Sequence, residues 1–135
     1  MDSFFLLGLL LFMASCIGFF YSKRRGSLKN KYGSIPLSFE FDLVFGEKAT
    51  ILLFSSAFCT QCRMAKSVIA SKVKFFPEIS YVEIDVESNL KLVREFNILS
   101  TPTTIILNRE RREIARAVGV PKNFQLEKLL KSILV

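Results

Sequence analysis

Cys59 and Cys62, separated by Thr60 and Gln61, are the residues whose types and spacing most directly imply chemistry. The apolar run Ala49 to Phe54 (ATILLF) precedes them with the composition of a buried strand, and Arg63 to Ala70 follows with the apolar period of an amphipathic helix. A Cys-x-x-Cys at such a junction puts its first sulfur at a helix N-terminus. There, unpaired backbone N–H groups and the positive end of the helix dipole favour thiolate over thiol. The second sulfur lies one turn further in, close enough to attack a mixed disulfide formed on the first. This is the arrangement of a dithiol–disulfide couple. Two plainer uses compete, an inert cysteine pair and half of a zinc knuckle. Zinc wants four ligands, and this chain has no histidine and only one further cysteine, Cys16, inside an apolar segment.

The elements that position the pair occupy one compact domain behind an apolar leader. Phe4 to Tyr21 (FFLLGLLLFMASCIGFFY) carries no charge. Eighteen helical residues rise about 27 Å, close to a hydrocarbon core of about 30 Å. A cleaved signal peptide is the main competitor, but only Met1, Asp2 and Ser3 precede the run, with no Lys or Arg to form a positive leader. Met13 to Cys16 weakly resembles a lipoprotein cleavage box, yet Ile17 to Tyr21 continues apolar where a polar tether would begin. An uncleaved anchor is expected, with residues 4–21 in lipid and Cys16 an ordinary apolar residue of the span. Lys23, Arg24, Arg25, Lys29 and Lys31 come after it, so the positive-inside rule places the C-terminal side in the cytoplasm of a single-pass cell-membrane protein. The same charges would also be drawn to anionic headgroups.

The expected boundaries are 1–22 for the anchor, 23–36 for a basic tether and 37–135 for the domain. The tether's Lys, Arg, Gly, Ser and Asn show no apolar period, and a flexible chain of that length spans on the order of 20 Å. Residues 1–31 hold five of the nineteen basic residues and one of the twelve acidic ones, leaving fourteen and eleven in the remainder. A domain that is only mildly basic, with no basic stripe interleaved with aromatics, argues against nucleic-acid binding.

Within the domain, Leu37, Phe39 and Phe41 alternate with polar residues and predict a short leading strand. Strands are expected over Ile51 to Ser55, Ile79 to Asp85, Thr103 to Leu107 and Glu113 to Val118, the last two forming a hairpin across Asn108 to Arg112. Helices are expected from Thr60 to about Lys74, from Asn89 to Phe96, and around Leu126, Leu129, Leu130 and Ile133. Parallel strands with crossover helices, then a hairpin and a helix, imply an α/β sandwich.

The segments ILLFSSAFCTQCRM, YVEIDVE, FNILSTPT and AVGV, in this order and spacing, resemble the thioredoxin family from about Ala49 to the C-terminus. With the apolar leader, the chain is similar to small membrane-anchored thioredoxin-like proteins of bacteria. The resemblance implies a three-layer sandwich, a central mixed sheet flanked by helices, and a protein-disulfide oxidoreductase. It implies that Cys59 is the attacking thiol and Cys62 the resolving one. Phe58 would supply an aromatic wall where the family usually has Trp. Thr101 and Pro102 would form the family's cis-proline loop against the substrate, although a proline opening a strand needs no such role. Gly119 would be the glycine near the end of the last strand, or simply a turn before Pro121. Thr60 and Gln61 replace the usual Gly-Pro and would tune the redox poise. Leu53 and Ser67 stand where the family often has a buried Asp and a Pro.

The implied cycle uses no metal or organic cofactor, and its partners are protein dithiols or disulfides and a separate electron donor. Arg63 would aid the thiolate, or serve only as a solvated helix charge. Two rivals remain: a related enzyme on the opposite membrane face, serving cytochrome maturation or disulfide formation, and a non-catalytic adaptor of the same fold.

Overall fold

The computed structural model describes residues 2–28 and 43–135. The strand expected over Leu37, Phe39 and Phe41, and residues 29–36 of the expected tether, lie outside them. In chain order the elements are α1 (Asp2–Arg24), β1 (Ala49–Ser55), α2 (Thr60–Val73), β2 (Ile79–Asp85), α3 (Leu90–Glu95), β3 (Thr103–Asn108), β4 (Glu113–Val118) and α4 (Asn123–Leu134). All of the strands and helices expected within the described part of the domain are present, with ends shifted by a residue or two.

The four strands form one mixed sheet in the order β2-β1-β3-β4. β1 runs parallel to β2 and antiparallel to β3, and β4 returns antiparallel to β3. β1 is interior because its sequence leaves no polar face, and all seven of its residues are buried. Strand alternation divides them. Ile51 and Leu53 pack with Ala65 and Ile69 of α2 and Leu126 and Leu130 of α4. Leu52 and Phe54 turn to the other side, toward Leu92 of α3 and the Phe96 and Ile98 beyond it. Each such large side chain contributes roughly 1.5–3 kcal/mol on burial, which makes β1 the anchor of both faces. The result is an α/β sandwich of three layers, α2 and α4 on one side of the sheet and α3 on the other. Glu127 of α4 joins the first layer across the helices, bonding Lys72 of α2 at 2.6 Å and Lys131 of its own helix at 2.7 Å.

Helix α1 is long and apolar enough to cross a membrane, and none of its apolar stretch is buried against the rest of the described chain. It continues two residues past the expected boundary, because Lys23 and Arg24 are good helix formers and suit the negative end of the helix dipole. The segment after α1 differs from a free tether. The Gly26 N–H donates to the Val118 carbonyl at 2.7 Å, and the Lys122 N–H donates to the Gly26 carbonyl at 3.1 Å. The Gln125 side-chain oxygen accepts from the Leu28 N–H at 3.0 Å. Gly26 is buried with φ of 75°, and a Cβ there would overlap the Val120 carbonyl oxygen, so this close approach needs glycine.

Candidate redox site

The site begins where β1 ends. After Ser55 the chain passes through Ser56, Ala57 and Phe58, and Cys59 becomes the N-cap of α2 with extended backbone angles. Its sulfur accepts the Cys62 backbone N–H at 3.1 Å, so it sits among the free donors of the first turn. No acidic residue lies in that turn to oppose negative charge. Cys59 and Cys62 are joined by a disulfide, with Cα atoms 5.2 Å apart. The two sulfurs are unequal: Cys62 is buried at 4% exposure, while Cys59 is partly open. Thr60, Gln61 and Arg63 face solvent, and the Phe58 ring is almost wholly exposed.

Sheet register gathers the other expected residues on the same rim. Phe54 on β1 stands opposite Thr103 on β3, and Thr103 opposite Val118 on β4. Thr101 and Pro102 therefore precede β3 at the end of the sheet where β1 gives way to the dithiol. Their peptide bond is cis, and Pro102 is buried. The Pro102 carbonyl accepts the Gly119 N–H at 2.8 Å, and Gly119 has φ of 93°, a conformation that favours glycine. Leu53 is fully buried on the α2 side of the sheet, and Ser67 is exposed on α2.

One feature of the site has no counterpart among the sequence-based expectations. A cleft of about 300 Å³ opens beside Cys62, bounded by Ser55, Arg63, Lys66, Glu83 and Asp85. The Ser55 hydroxyl donates to Glu83 at 2.9 Å, and Lys66 pairs with the same carboxylate at 2.6 Å. The Lys66 hydrogen bond is the main reason that Glu83 is held below the usual carboxylate range, with Ser55 adding to it against partial desolvation. Asp85 is likewise lowered, first by the Ser88 hydroxyl and then by the Glu87 N–H. Tyr81 behaves oppositely: burial, and then the Glu83 charge, push its phenol up to about 12. At neutral pH both carboxylates of the cleft are thus ionised. The available signals were the exposed register of Glu83 in ISYVEID and the one-turn spacing from Cys62 to Lys66. Among the described residues no three His, Cys, Asp or Glu side chains gather as a metal site, and Cys16 lies exposed on α1.

A mixed sheet between helix layers, with a Cys-x-x-Cys pair capping the helix after its interior strand, defines a thiol–disulfide class of fold. Comparison with known proteins agrees. The thioredoxin family model matches residues 36–132. Thioredoxin H2 of Arabidopsis thaliana is 30% identical over 86 residues, covering 64% of this chain and 63% of that protein. Thioredoxin H5 of Oryza sativa subsp. japonica is 35% identical over 72 residues, covering 53% of each. A thioredoxin from Nicotiana alata has a crystal structure similar to this one with a TM-score of 0.57 at 28% identity, covering 64% of this chain and 73% of that one. The chain belongs to the thioredoxin family, and it spans less than two thirds of the length of both curated relatives.

Proposed function

We propose that this protein is a membrane-anchored thiol–disulfide oxidoreductase that reduces protein disulfides through Cys59 and Cys62. The observation that carries the reading is the inequality of the two cysteines: one partly open at a helix N-cap, the other buried one turn inside. The Cys59 thiolate attacks one sulfur of a substrate disulfide, and the displaced cysteine leaves as a thiolate that takes a proton from water. Cys62, once deprotonated, attacks the Cys59 sulfur, breaks the mixed disulfide and expels the second substrate thiolate. Two electrons pass to the substrate, and the Cys59–Cys62 disulfide closes. A dithiol donor then resets it.

Cys62 gives up its proton to water, since Leu53 puts no basic group beside it in the core. Arg63 and Lys66 line the cleft beside Cys62, and Lys66 is paired there with Glu83. Phe58, Thr101 and Pro102 form the substrate-facing surface, the exposed ring beside the motif and the loop at the start of β3. Thr60 and Gln61, between the sulfurs, set the poise.

In this reading α1 spans the cell membrane and residues 37–135 carry the redox domain. The basic residues after α1 favour a cytoplasmic domain. That compartment keeps thiols reduced, which favours disulfide reduction over oxidation. The test is a redox titration of the full chain in detergent against glutathione, coupled to reduction of a model protein disulfide. A two-electron transition and turnover that vanishes in Cys59→Ser are expected. A native chain that exchanges no disulfide with either partner would end the proposal.

A further inference from the structure

Backbone hydrogen bonds tie the end of α1 to one rim of the domain. Arg24 ends the helix, and two residues later Gly26 is bonded to Val118 at the end of β4 and to Lys122 just before α4. The Lys122 ammonium also donates to the Lys23 carbonyl at 3.1 Å, at the last turn of α1 itself. Gly119, next to this latch, bonds Pro102 on the dithiol rim. Neighbouring strands lie about 4.8 Å apart, so β4 and β1 are separated across the sheet by roughly 10 Å. The exit of α1 and the Cys59–Cys62 disulfide therefore share one rim of the sheet.

The surface around the latch suits lipid headgroups. Lys23, Arg24, Arg25 and Lys122 stand there, and residues 23–28 and 118–126 contain no acid. Phe124 on the first turn of α4 is 78% exposed, and Leu99 in the loop before Pro102 is 88% exposed. Large apolar side chains with basic neighbours are the composition of an interfacial contact. The acids nearest the dithiol, Glu83 and Asp85 of β2 and Glu87 just after it, lie at the opposite edge of the sheet.

We infer that the β4–α4 side of the dithiol rim rests on the anionic headgroup layer of the membrane that α1 spans. The disulfide is then held at headgroup level, and its substrates are disulfides in the juxtamembrane segments of membrane-held proteins. This rests on the reading of α1 as a membrane span. The Gly26 latch sets the orientation, which a free tether of the same length would leave open.

The experiment uses the full chain with its Cys59–Cys62 disulfide closed, reconstituted in phosphatidylcholine vesicles containing phosphatidylglycerol. An environment-sensitive fluorophore is placed on native Cys16, or, in Cys16→Ser chains, on single cysteines introduced by Leu99→Cys, Phe124→Cys or Arg109→Cys. Position 109 lies in the β3–β4 hairpin on the opposite rim. Nitroxides on lipid headgroups should quench positions 99 and 124 several-fold more than 109, and nitroxides deep in the acyl chains should quench Cys16. Adding Gly26→Ala, whose Cβ cannot coexist with the Val120 carbonyl, should erase the difference between the rims. A quenched Cys16 with equal quenching at 99, 124 and 109 would overturn the orientation alone. An unquenched Cys16 would overturn the membrane span and this inference together. A rim difference that survives Gly26→Ala would overturn the latch as its cause.

Discussion

Leu53 on β1 stands directly opposite Thr104 on β3, and the fully buried Thr104 hydroxyl has no hydrogen-bond partner among the described residues. A buried hydroxyl in that state costs about 1–3 kcal/mol relative to a satisfied one. An aspartate at position 53 would be in register to accept from it, but a carboxylate in this apolar layer is penalised more strongly than one neutral donor offsets. Leu53→Asp is therefore expected to lower stability by about 2–4 kcal/mol at neutral pH. Burial raises the new carboxyl's pKa, so the deficit should shrink as pH falls through that raised value. Thr104→Val should cost little in the native chain and markedly more when combined with Leu53→Asp, a coupling that a double-mutant cycle by urea unfolding reads directly. Stopped-flow reduction of a model disulfide should also show a faster Cys62 step in Leu53→Asp. An unchanged step would remove position 53 from proton transfer and leave its burial intact.

Cys62→Ser should retain substrates as mixed disulfides on Cys59, because the buried thiolate that releases them is gone. Cys59→Ser should retain few, since the remaining residue, Cys62, is only 4% exposed. Non-reducing electrophoresis of the two variants, each incubated with a disulfide-bonded protein, compares them. Equal adducts on both would reverse the assigned roles.

How far the sequence reached depended on the range of the interaction. The strands and helices of the domain were legible because periodicity is local: ATILLFS has no polar face and became the interior strand, and Leu126 and Leu130 mark the buried side of α4. The dithiol at the strand-to-helix junction was legible for the same reason. The cleft beside Cys62 was not. Ser55 and Glu83 meet only because β1 pairs parallel with β2 in the register Ser55 to Asp85, a fact of tertiary pairing. The Gly26 latch was hidden too. A stretch of Lys, Arg, Gly and Ser reads locally as a tether, and nothing in its composition announces backbone bonds to residues more than ninety positions away.

Topology decides between cytoplasmic reduction and the rival on the opposite face. Ser27 is a poor reporter, because it lies against Gln125. Lys128 is exposed on α4 and serves better. In a chain whose native cysteines are serine, Lys128→Cys should resist impermeant maleimides in intact cells and react fully after permeabilisation. Rapid labelling from outside would move the domain across the membrane and favour oxidative or maturation chemistry.

Glu127 gives the domain an acid-sensitive clasp. Its carboxyl is held down to about 2, from 4.5, chiefly by the Lys131 hydrogen bond and then by Lys72 of α2. A carboxyl whose folded pKa is depressed stabilises the fold at pH values above its unfolded pKa. That contribution declines as pH falls from about 4.5 toward 2 and is gone below. Glu127→Gln should accordingly unfold at lower urea than the native chain at pH 7, with the gap closing over that window. The pair is open to solvent, so added salt should narrow the gap at pH 7 as well. Lys72→Gln should reproduce part of the effect and Lys131→Gln the rest, because one lysine joins the helices while the other only orients the carboxylate. Parallel urea curves of the full chain in detergent, taken from pH 7 to about 2, provide the measurement. A native-to-variant gap that stayed constant down to pH 2 would mean that the ionised carboxylate is not what joins α2 to α4.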